Sequence, residues 1–252
     1  MKTAVITGAS AGLGLEFVRQ LEGAFPEVEQ VWLIARSANK LEEAAKLLNK
    51  VQVKILPLDL CSESSFAEFS AVLAAEKPDV ALLVNNAGCG YLGNVGEGEV
   101  AKQTRMVDLN VRALTAVTHS TIPYMTKGGR IINVSSIASF CPNPRMTVYS
   151  STKAYVSSFN RGLSEELKPK GISVTAVCPG PMATEFLDIG GIAGNSKTFD
   201  TLPYCDPAKV VAGVYAAARA GRVVYTPKGF YKFYRGLAKV LPQRLMIKFA
   251  KT

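Results

Sequence analysis

Short, almost purely apolar runs alternate along the chain with longer stretches whose apolar positions recur every three or four residues. The runs are Lys2–Thr7, Val31–Ala35, Val53–Pro57, Val80–Val84, Arg130–Val134, Ser173–Val177 and Val223–Tyr225. A strand that is apolar throughout, rather than at every second position, is covered on both faces. The intervening stretches carry the helical period and can supply that cover, as in Leu41–Leu48, where Leu41, Ala44, Ala45, Leu47 and Leu48 are apolar. Strand–helix alternation at this spacing predicts an α/β fold: a Rossmann-like, doubly wound parallel sheet of seven strands with helices on both faces. No repeat and no linker divides the pattern, so one domain over residues 1–252 is expected.

Two segments break the alternation. Glu185–Cys205 holds Gly190, Gly191 and Gly194 among small and polar residues without a strong period. A connection of that length in a compact domain is usually a lid or a binding loop, and residues 185–205 are read as a substrate lid. Asp206-Pro207 then restarts a helix, with an acid at the cap and proline at the first helical position. The second oddity is residues 229–251. Phe230, Tyr234, Leu237, Leu241, Leu245 and Phe249 recur at helical spacing with a break at Pro242, and Lys228, Lys232, Arg235, Lys239, Arg244, Lys248 and Lys251 fill much of the other face. Two readings stay open: a helical extension docked on the domain with a solvated basic face, or an interfacial helix resting peripherally on anionic lipid.

Charge sharpens this picture only locally. The formal net charge is +9, yet from Pro207 onward there are ten Lys and Arg and no acid, so the rest of the chain is close to neutral. A nucleic-acid partner for the whole protein is therefore not expected. With 48% apolar and 19% charged residues the chain is not disordered. No apolar run reaches the ~18 residues of a membrane span and no charged-then-apolar leader precedes the first strand, so a cytoplasmic protein is expected. Five widely spaced cysteines read as reduced thiols, and a single histidine, His119, argues against a His-rich metal site; no metal is expected.

The chemistry begins where the first strand ends. Thr7-Gly8-Ala9-Ser10-Ala11-Gly12-Leu13-Gly14 runs straight into an apolar helical stretch. Glycines there permit a tight turn and close backbone approach to a pyrophosphate, while the helix N-terminus offers N–H groups and a positive dipole end. At the end of the second strand, where NAD binders place an acid for the ribose 2′-hydroxyl, stand Arg36 and Ser37. A guanidinium suits a 2′-phosphate, which favours NADP (NADPH) over NAD. Further on, Tyr149 and Lys153 lie four apart on one helical face, thirteen residues after a strand-end serine, Ser136. A neighbouring ammonium can stabilise a phenolate, and a serine hydroxyl can bond a carbonyl oxygen as charge develops on it. A hydrolase triad through His119 lacks the Gly-x-Ser-x-Gly elbow it would need.

In these motifs the sequence resembles the short-chain dehydrogenase/reductase family, single-domain branch, over roughly Thr3–Thr184. The motifs arrive in the family's order: Thr7–Gly14, Asp59-Leu60, Asn85-Asn86-Ala87-Gly88, Asn110, Ser136, Tyr149/Lys153 and Pro179-Gly180 followed by Thr184. The resemblance implies hydride transfer between nicotinamide and a carbonyl or alcohol, with Tyr149 as acid/base and Ser136 orienting the carbonyl. Lys153 would hold the nicotinamide ribose and depress the tyrosine pKa, and Asn110 would position a water in the proton path. It also implies that Asp59 and Leu60 flank the adenine, that Asn86, Ala87, Gly88, Pro179 and Gly180 line the cofactor, and that Thr184 meets the carboxamide. A homodimer or homotetramer is implied through two long helices, Glu99–Met125 and Tyr149–Leu167. The alternative is a catalytically silent NADP-binding sensor or scaffold.

The expected substrate wall is Tyr91, Phe140, Met146, Met182 and Phe186, with Cys141 nearby. Nothing in that set offers a cation for a carboxylate, so an apolar ketone or aldehyde, steroid-like or acyl, is the easiest fit.

Overall fold

A computed structural model describes residues 1–250, the side chains of Lys197 and Phe249 excepted. Phe249 in the expected apolar stripe and Lys251 in the basic one therefore lie outside the described side chains. The strands are β1 (Lys2–Thr7), β2 (Gln30–Ala35), β3 (Gln52–Pro57), β4 (Asp79–Asn85), β5 (Arg130–Val134), β6 (Ser173–Val177) and β7 (Val224–Tyr225). Each falls within one residue of its expected bounds. They form one sheet in the order β3-β2-β1-β4-β5-β6-β7, and every neighbouring pair is parallel. The helices are α1 (Gly12–Ala24), α2 (Ala38–Ala45), α3 (Glu63–Glu76), α4 (Val100–Val107), α5 (Leu114–Thr121), α6 (Thr147–Leu167), α7 (Glu185–Ile189), α8 (Lys197–Thr201), α9 (Pro207–Arg219), α10 (Gly229–Val240) and α11 (Gln243–Phe249).

Alternate residues of the buried strands point to opposite faces, which is why the apolar runs are continuous. Ala4, Ile6 and Leu33 pack with Phe17 of α1 and Val211 of α9. Val5, Trp32 and Ile34 pack the other way, with Phe69 of α3, Val117 of α5 and Leu163 of α6. On the first face Tyr215 stands edge-on to Phe17 at 5.3 Å and donates its hydroxyl to the Phe17 carbonyl at 2.7 Å. Asp206 caps α9 as its Asp-Pro pair forecast, its carboxylate accepting from Ala208 N at 2.9 Å.

Two helical expectations needed adjustment. Leu41–Leu48 is helical only to Ala45, although Leu48 in the turn that follows is still buried. The stretch Glu99–Met125 is not one regular helix: between α4 and α5 lies a π-helical segment, Asp108–Ala113, and Ile122–Tyr124 is a 3₁₀ turn. A single π turn inside an α-helix rotates the residues beyond it, and such turns concentrate at functional sites. Here it holds Asn110.

The end of the chain docks on the sheet's C-terminal edge. Tyr231 of α10 is fully buried, donates to the Pro203 carbonyl at 2.7 Å and covers Gly180 so closely that a Cβ there would lie 2.3 Å from the ring. Tyr234 meets Phe140 at 6.1 Å between centroids, and Met246 and Ala250 pack on Cys141. Asn143 donates to the Ala250 carbonyl at 3.1 Å. Pro242 separates α10 from α11, at the expected break. Among the described residues no helix is long and apolar enough to cross a membrane.

Since β1 lies between β2 and β4, the chain reverses its direction of travel across the sheet there. That reversal opens a crevice beyond the carboxyl ends of β1 and β4, the place where open α/β sheets bind ligands.

Candidate active site

A cavity of about 860 Å³ occupies that crevice. Its floor is the Gly-rich turn. Gly8 has φ +65°, and a Cβ on Gly14 would stand 1.8 Å from the Gly8 carbonyl oxygen, so neither position accepts a side chain without rebuilding the turn. Asn86 braces the same turn: its side chain donates to the Thr7 and Gly8 carbonyls at 3.1 and 3.2 Å, while Asn86 N and Ala87 N both donate to the Thr7 hydroxyl at 3.0 Å. Gly8, Ser10, Gly12, Leu13, Gly14, Asn86, Ala87 and Gly88 all reach the cavity wall.

At the second strand's end Arg36 lines the cavity and, among the described residues, makes neither a hydrogen bond nor an ion pair. Ser37 lines it too, but its hydroxyl is occupied as the cap of α2, accepting from Lys40 N at 3.4 Å. Asp59 accepts from Cys61 N at 3.1 Å and faces Arg105 at 3.4 Å. Burial pushes its carboxyl up, but the Cys61 N–H and the Arg105 guanidinium outweigh that and hold it below the usual value. Leu60, Pro179, Gly180 and Thr184 also line the cavity.

The expected catalytic groups Ser136, Tyr149 and Lys153 line the same cavity. Tyr149 and Lys153 share the inner face of α6, and both are buried. Ser136, at the end of β5, caps the turn Ile137–Ser139 through Ala138 N at 3.1 Å, and its hydroxyl lies on the Tyr149 side, where it favours the phenolate. Lys153 donates to the Val134 carbonyl at 2.8 Å, and its nitrogen stands 5.8 Å from the Tyr149 ring centroid. The expected depression of the tyrosine pKa is not found in the protein alone. Burial pushes Tyr149 up to about 12, only partly offset by Ser136, and burial pulls Lys153 down to about 8. The ammonium is committed to a backbone carbonyl and stands over the face of the ring.

Three expected residues do not line the cavity. Asn110 stands behind it, donating to the Cys89 carbonyl at 2.9 Å and the Thr152 hydroxyl at 3.0 Å and accepting from Cys89 N at 2.9 Å. Its amide thus ties the β4 end to α6, and any water it places must be held by its other atoms. We expect Asn110→Ala to leave both Cys89 backbone groups unpaired and to cost about 3 kcal/mol in urea unfolding. Phe140 and Met146 are also corrected. Phe140 turns outward onto Tyr234, and Met146 is packed beneath the wall against Ala138, Tyr149 and Leu187. Tyr91, Met182 and Phe186 do line the cavity, and Phe186 lies 5.8 Å from the Tyr149 ring.

Other wall residues were not anticipated: Arg105 and Leu109 beside Asp59, Phe199 and Leu202, and Phe230, Tyr231 and Tyr234 from α10. The aromatic stripe of α10 was visible in the sequence, but nothing local said which surface it would cover. His119 is exposed on α5, away from the cavity wall, and burial pushes the Cys89 thiol up to about 11, so it stays protonated at neutrality.

The parallel sheet, its crevice and the glycine-braced turn define a dinucleotide-binding α/β protein. The family model described as short chain dehydrogenase matches residues 2–189. An uncharacterized oxidoreductase of Staphylococcus epidermidis is 29% identical over 226 residues, covering 88% of this chain and 93% of that one. The structure of a short-chain dehydrogenase from Sphingobium yanoikuyae in complex with NADPH is 26% identical, with a TM-score of 0.80 over 96% of this chain and 97% of the other. A bulky-bulky ketone specific alcohol dehydrogenase from Comamonas testosteroni is 28% identical, with a TM-score of 0.73 over 96% of each chain. The chain belongs to the short-chain dehydrogenase/reductase family and is an oxidoreductase of that family.

Proposed function

We propose that the protein is an NADP-dependent carbonyl reductase or alcohol dehydrogenase acting on an apolar ketone or aldehyde. The observation that carries this reading is the buried set of Ser136, Tyr149 and Lys153 brought together on an otherwise largely apolar wall. A protein that only sensed the nucleotide would have no use for that set.

The residues present fit a nicotinamide dinucleotide. A turn whose glycines leave no room for Cβ atoms suits a pyrophosphate, and an unpaired guanidinium at the end of β2 suits a 2′-phosphate. The relative from Sphingobium yanoikuyae, solved with NADPH, supports the choice of NADP. When bound, the nicotinamide supplies or accepts the hydride.

The chain's own residues do the rest. Ser136 orients the carbonyl oxygen toward Tyr149. With a pKa near 12 the tyrosine is fully protonated at neutrality and can donate to that oxygen, which suits reduction. Lys153, with a pKa near 8, is an ammonium at pH 7 and stabilises the phenolate that donation leaves. Tyr91, Met182, Phe186 and Phe199 exclude water and admit an apolar substituent on the carbonyl carbon. Residues 185–205 act as a lid: Phe186 lies against Tyr149, and the Gly190 carbonyl accepts from Leu92 N at 3.0 Å. The likeness to a bulky-bulky ketone specific enzyme supports a ketone with two large substituents.

A screen of apolar ketones and aldehydes with NADPH, followed at the nicotinamide absorbance, tests the reading. Oxidation of NADPH that depends on the carbonyl compound is expected, and none across the series refutes the proposal. Arg36→Asp tests the cofactor choice. Titrating both cofactors should show a preference for NADPH in the wild type that moves toward NADH by roughly 100-fold in the variant, as attraction to the 2′-phosphate becomes repulsion. A wild type that prefers NADH sinks the assignment.

A further inference from the structure

Docking does not use up the chain's C-terminal helices. Tyr231 and Met246 face inward and are buried, and Tyr234, Leu237 and Leu241 are partly covered. A separate set of large apolar side chains faces out. Phe230 is 53% exposed, Phe233 70%, Val240 83% and, on α11, Leu245 41%. Phe233 and Val240 are seven residues apart, two helical turns, and so lie on one line along α10.

Beside that line runs a second one. Lys232, Arg235 and Lys239 follow at intervals of three and four, the spacing of a single helical face, with Lys228 at the cap that precedes the helix. None of them makes an ion pair among the described residues, and there is no acid anywhere from Pro207 onward to neutralise them. α10 therefore has three faces: one docked, one apolar and open, and one cationic. A helix that merely covers the domain needs the first and a polar remainder. Two exposed apolar residues on one line, with a third on α11 and an unpaired cation row alongside, are what an interfacial helix presents to lipid.

We propose that the outer surface of α10 and α11 binds the face of an anionic phospholipid bilayer. Phe233, Val240 and Leu245 enter the boundary between headgroups and acyl chains, and Lys232, Lys239 and their neighbours meet the anionic headgroups. Each basic residue held near an anionic surface strengthens binding by roughly fivefold, so the row adds a charge attraction to the apolar insertion. The two open readings of this segment are then not exclusive, since it docks on the domain and offers lipid the side left over. Phe230, which both lines the cavity and is half exposed, marks where this surface meets the cavity wall. The proposal does not depend on the enzymatic reading, because binding to vesicles is measured without substrate or cofactor.

The test is sedimentation of the full chain with vesicles of phosphatidylcholine alone and with about 30% phosphatidylserine, at 0.1 and 0.5 M salt. Strong binding is expected only to the anionic vesicles, weakened but not lost at high salt, because screening removes the charge attraction and leaves apolar burial. The double variant Phe233→Ser/Val240→Ser should bind at least tenfold more weakly while keeping the thermal midpoint of the wild type, since both side chains are exposed. Lys232→Glu/Lys239→Glu should abolish the preference for anionic vesicles. Absence of binding at 0.1 M salt, equal binding to both vesicle types, or a Ser variant that binds like the wild type overturns the proposal. So does a wild-type oligomer that the Ser variant dissociates, since the surface would then belong to a second copy.

Discussion

Tyr149→Phe is expected to lower the rate of carbonyl reduction by about 10³-fold while leaving NADPH affinity within about twofold of the wild type. The substitution removes one hydroxyl from a side chain that is already buried against Phe186, so the wall keeps its shape. What is lost is the proposed proton donor, the hydroxyl on which Ser136 acts. The neighbouring donors are committed elsewhere: the Cys89 thiol is turned to the Arg105 carbonyl at 3.8 Å, and Lys153 is tied to the Val134 carbonyl at 2.8 Å. Stopped-flow reduction with a responsive ketone and a separate NADPH titration divide the outcomes. A rate close to wild type overturns the mechanism, and a parallel loss of NADPH binding shows the hydroxyl to be a cofactor contact instead.

How much of this could be read from the sequence follows from what is local. Strands such as Val31–Ala35 and Arg130–Val134 were legible because burial on both faces leaves no polar alternation, and that condition is written in the run itself. The Gly-rich turn was legible because Gly8 and Gly14 answer to the backbone alone. Tyr149 and Lys153 could be paired because four residues along a helix fix their relation wherever that helix goes. Beyond that range the reading failed in consistent ways. Met146 and Phe140 are close in sequence to Tyr149 and were placed on the cavity for that reason. Yet one sinks beneath the wall and the other turns to Tyr234, some ninety positions away. The π turn that holds Asn110 has no local signature, and the partners its amide meets, Cys89 and Thr152, lie 21 and 42 positions away. The same holds for the buried amide chain from Asn85 to Asn133 to Asn160, which cross-links β4, β5 and α6: three asparagines far apart in sequence and silent until the fold brings them together. α10 was recognised as amphipathic, but its face on the cavity and its open face are products of docking.

Lys153→Met should give the second large effect, with a sign that can be checked against pH. Turnover should fall by about 10²-fold or more, because the charge proposed to stabilise the Tyr149 phenolate is gone. Stability should move the other way. The folded protein holds Lys153 near 8 against an ordinary value of 10.5, chiefly through burial, with Cys89 and Cys178 nearby pulling weakly in the opposite direction. Below about pH 8 the lysine is ionised in both folded and unfolded chains, and the fold carries the whole cost of burying the charge. Between 8 and 10.5 the folded protein has shed that proton and the unfolded chain has not. The unfolded state then binds more protons, and stability contributed by this group rises with pH. A gap of that width corresponds to about 3 kcal/mol. Methionine never carries the charge, but it forfeits the hydrogen bond to the Val134 carbonyl, worth about 1 kcal/mol at any pH. The variant is therefore expected to be more stable than the wild type by about 2 kcal/mol at pH 7, with the advantage shrinking and then reversing by pH 10.5. Paired urea unfolding curves from pH 7 to 10.5 measure the difference, and taking the difference cancels every other titrating group. A stability difference that does not change across that range shows that Lys153 does not ionise near 8, and with it falls the account of how the buried ammonium and the buried phenol divide the proton work. In the proposed mechanism the same lysine also sets the upper limb of the wild-type rate, which should decline as pH rises through about 8, so the kinetic and the folding experiments must agree on one value.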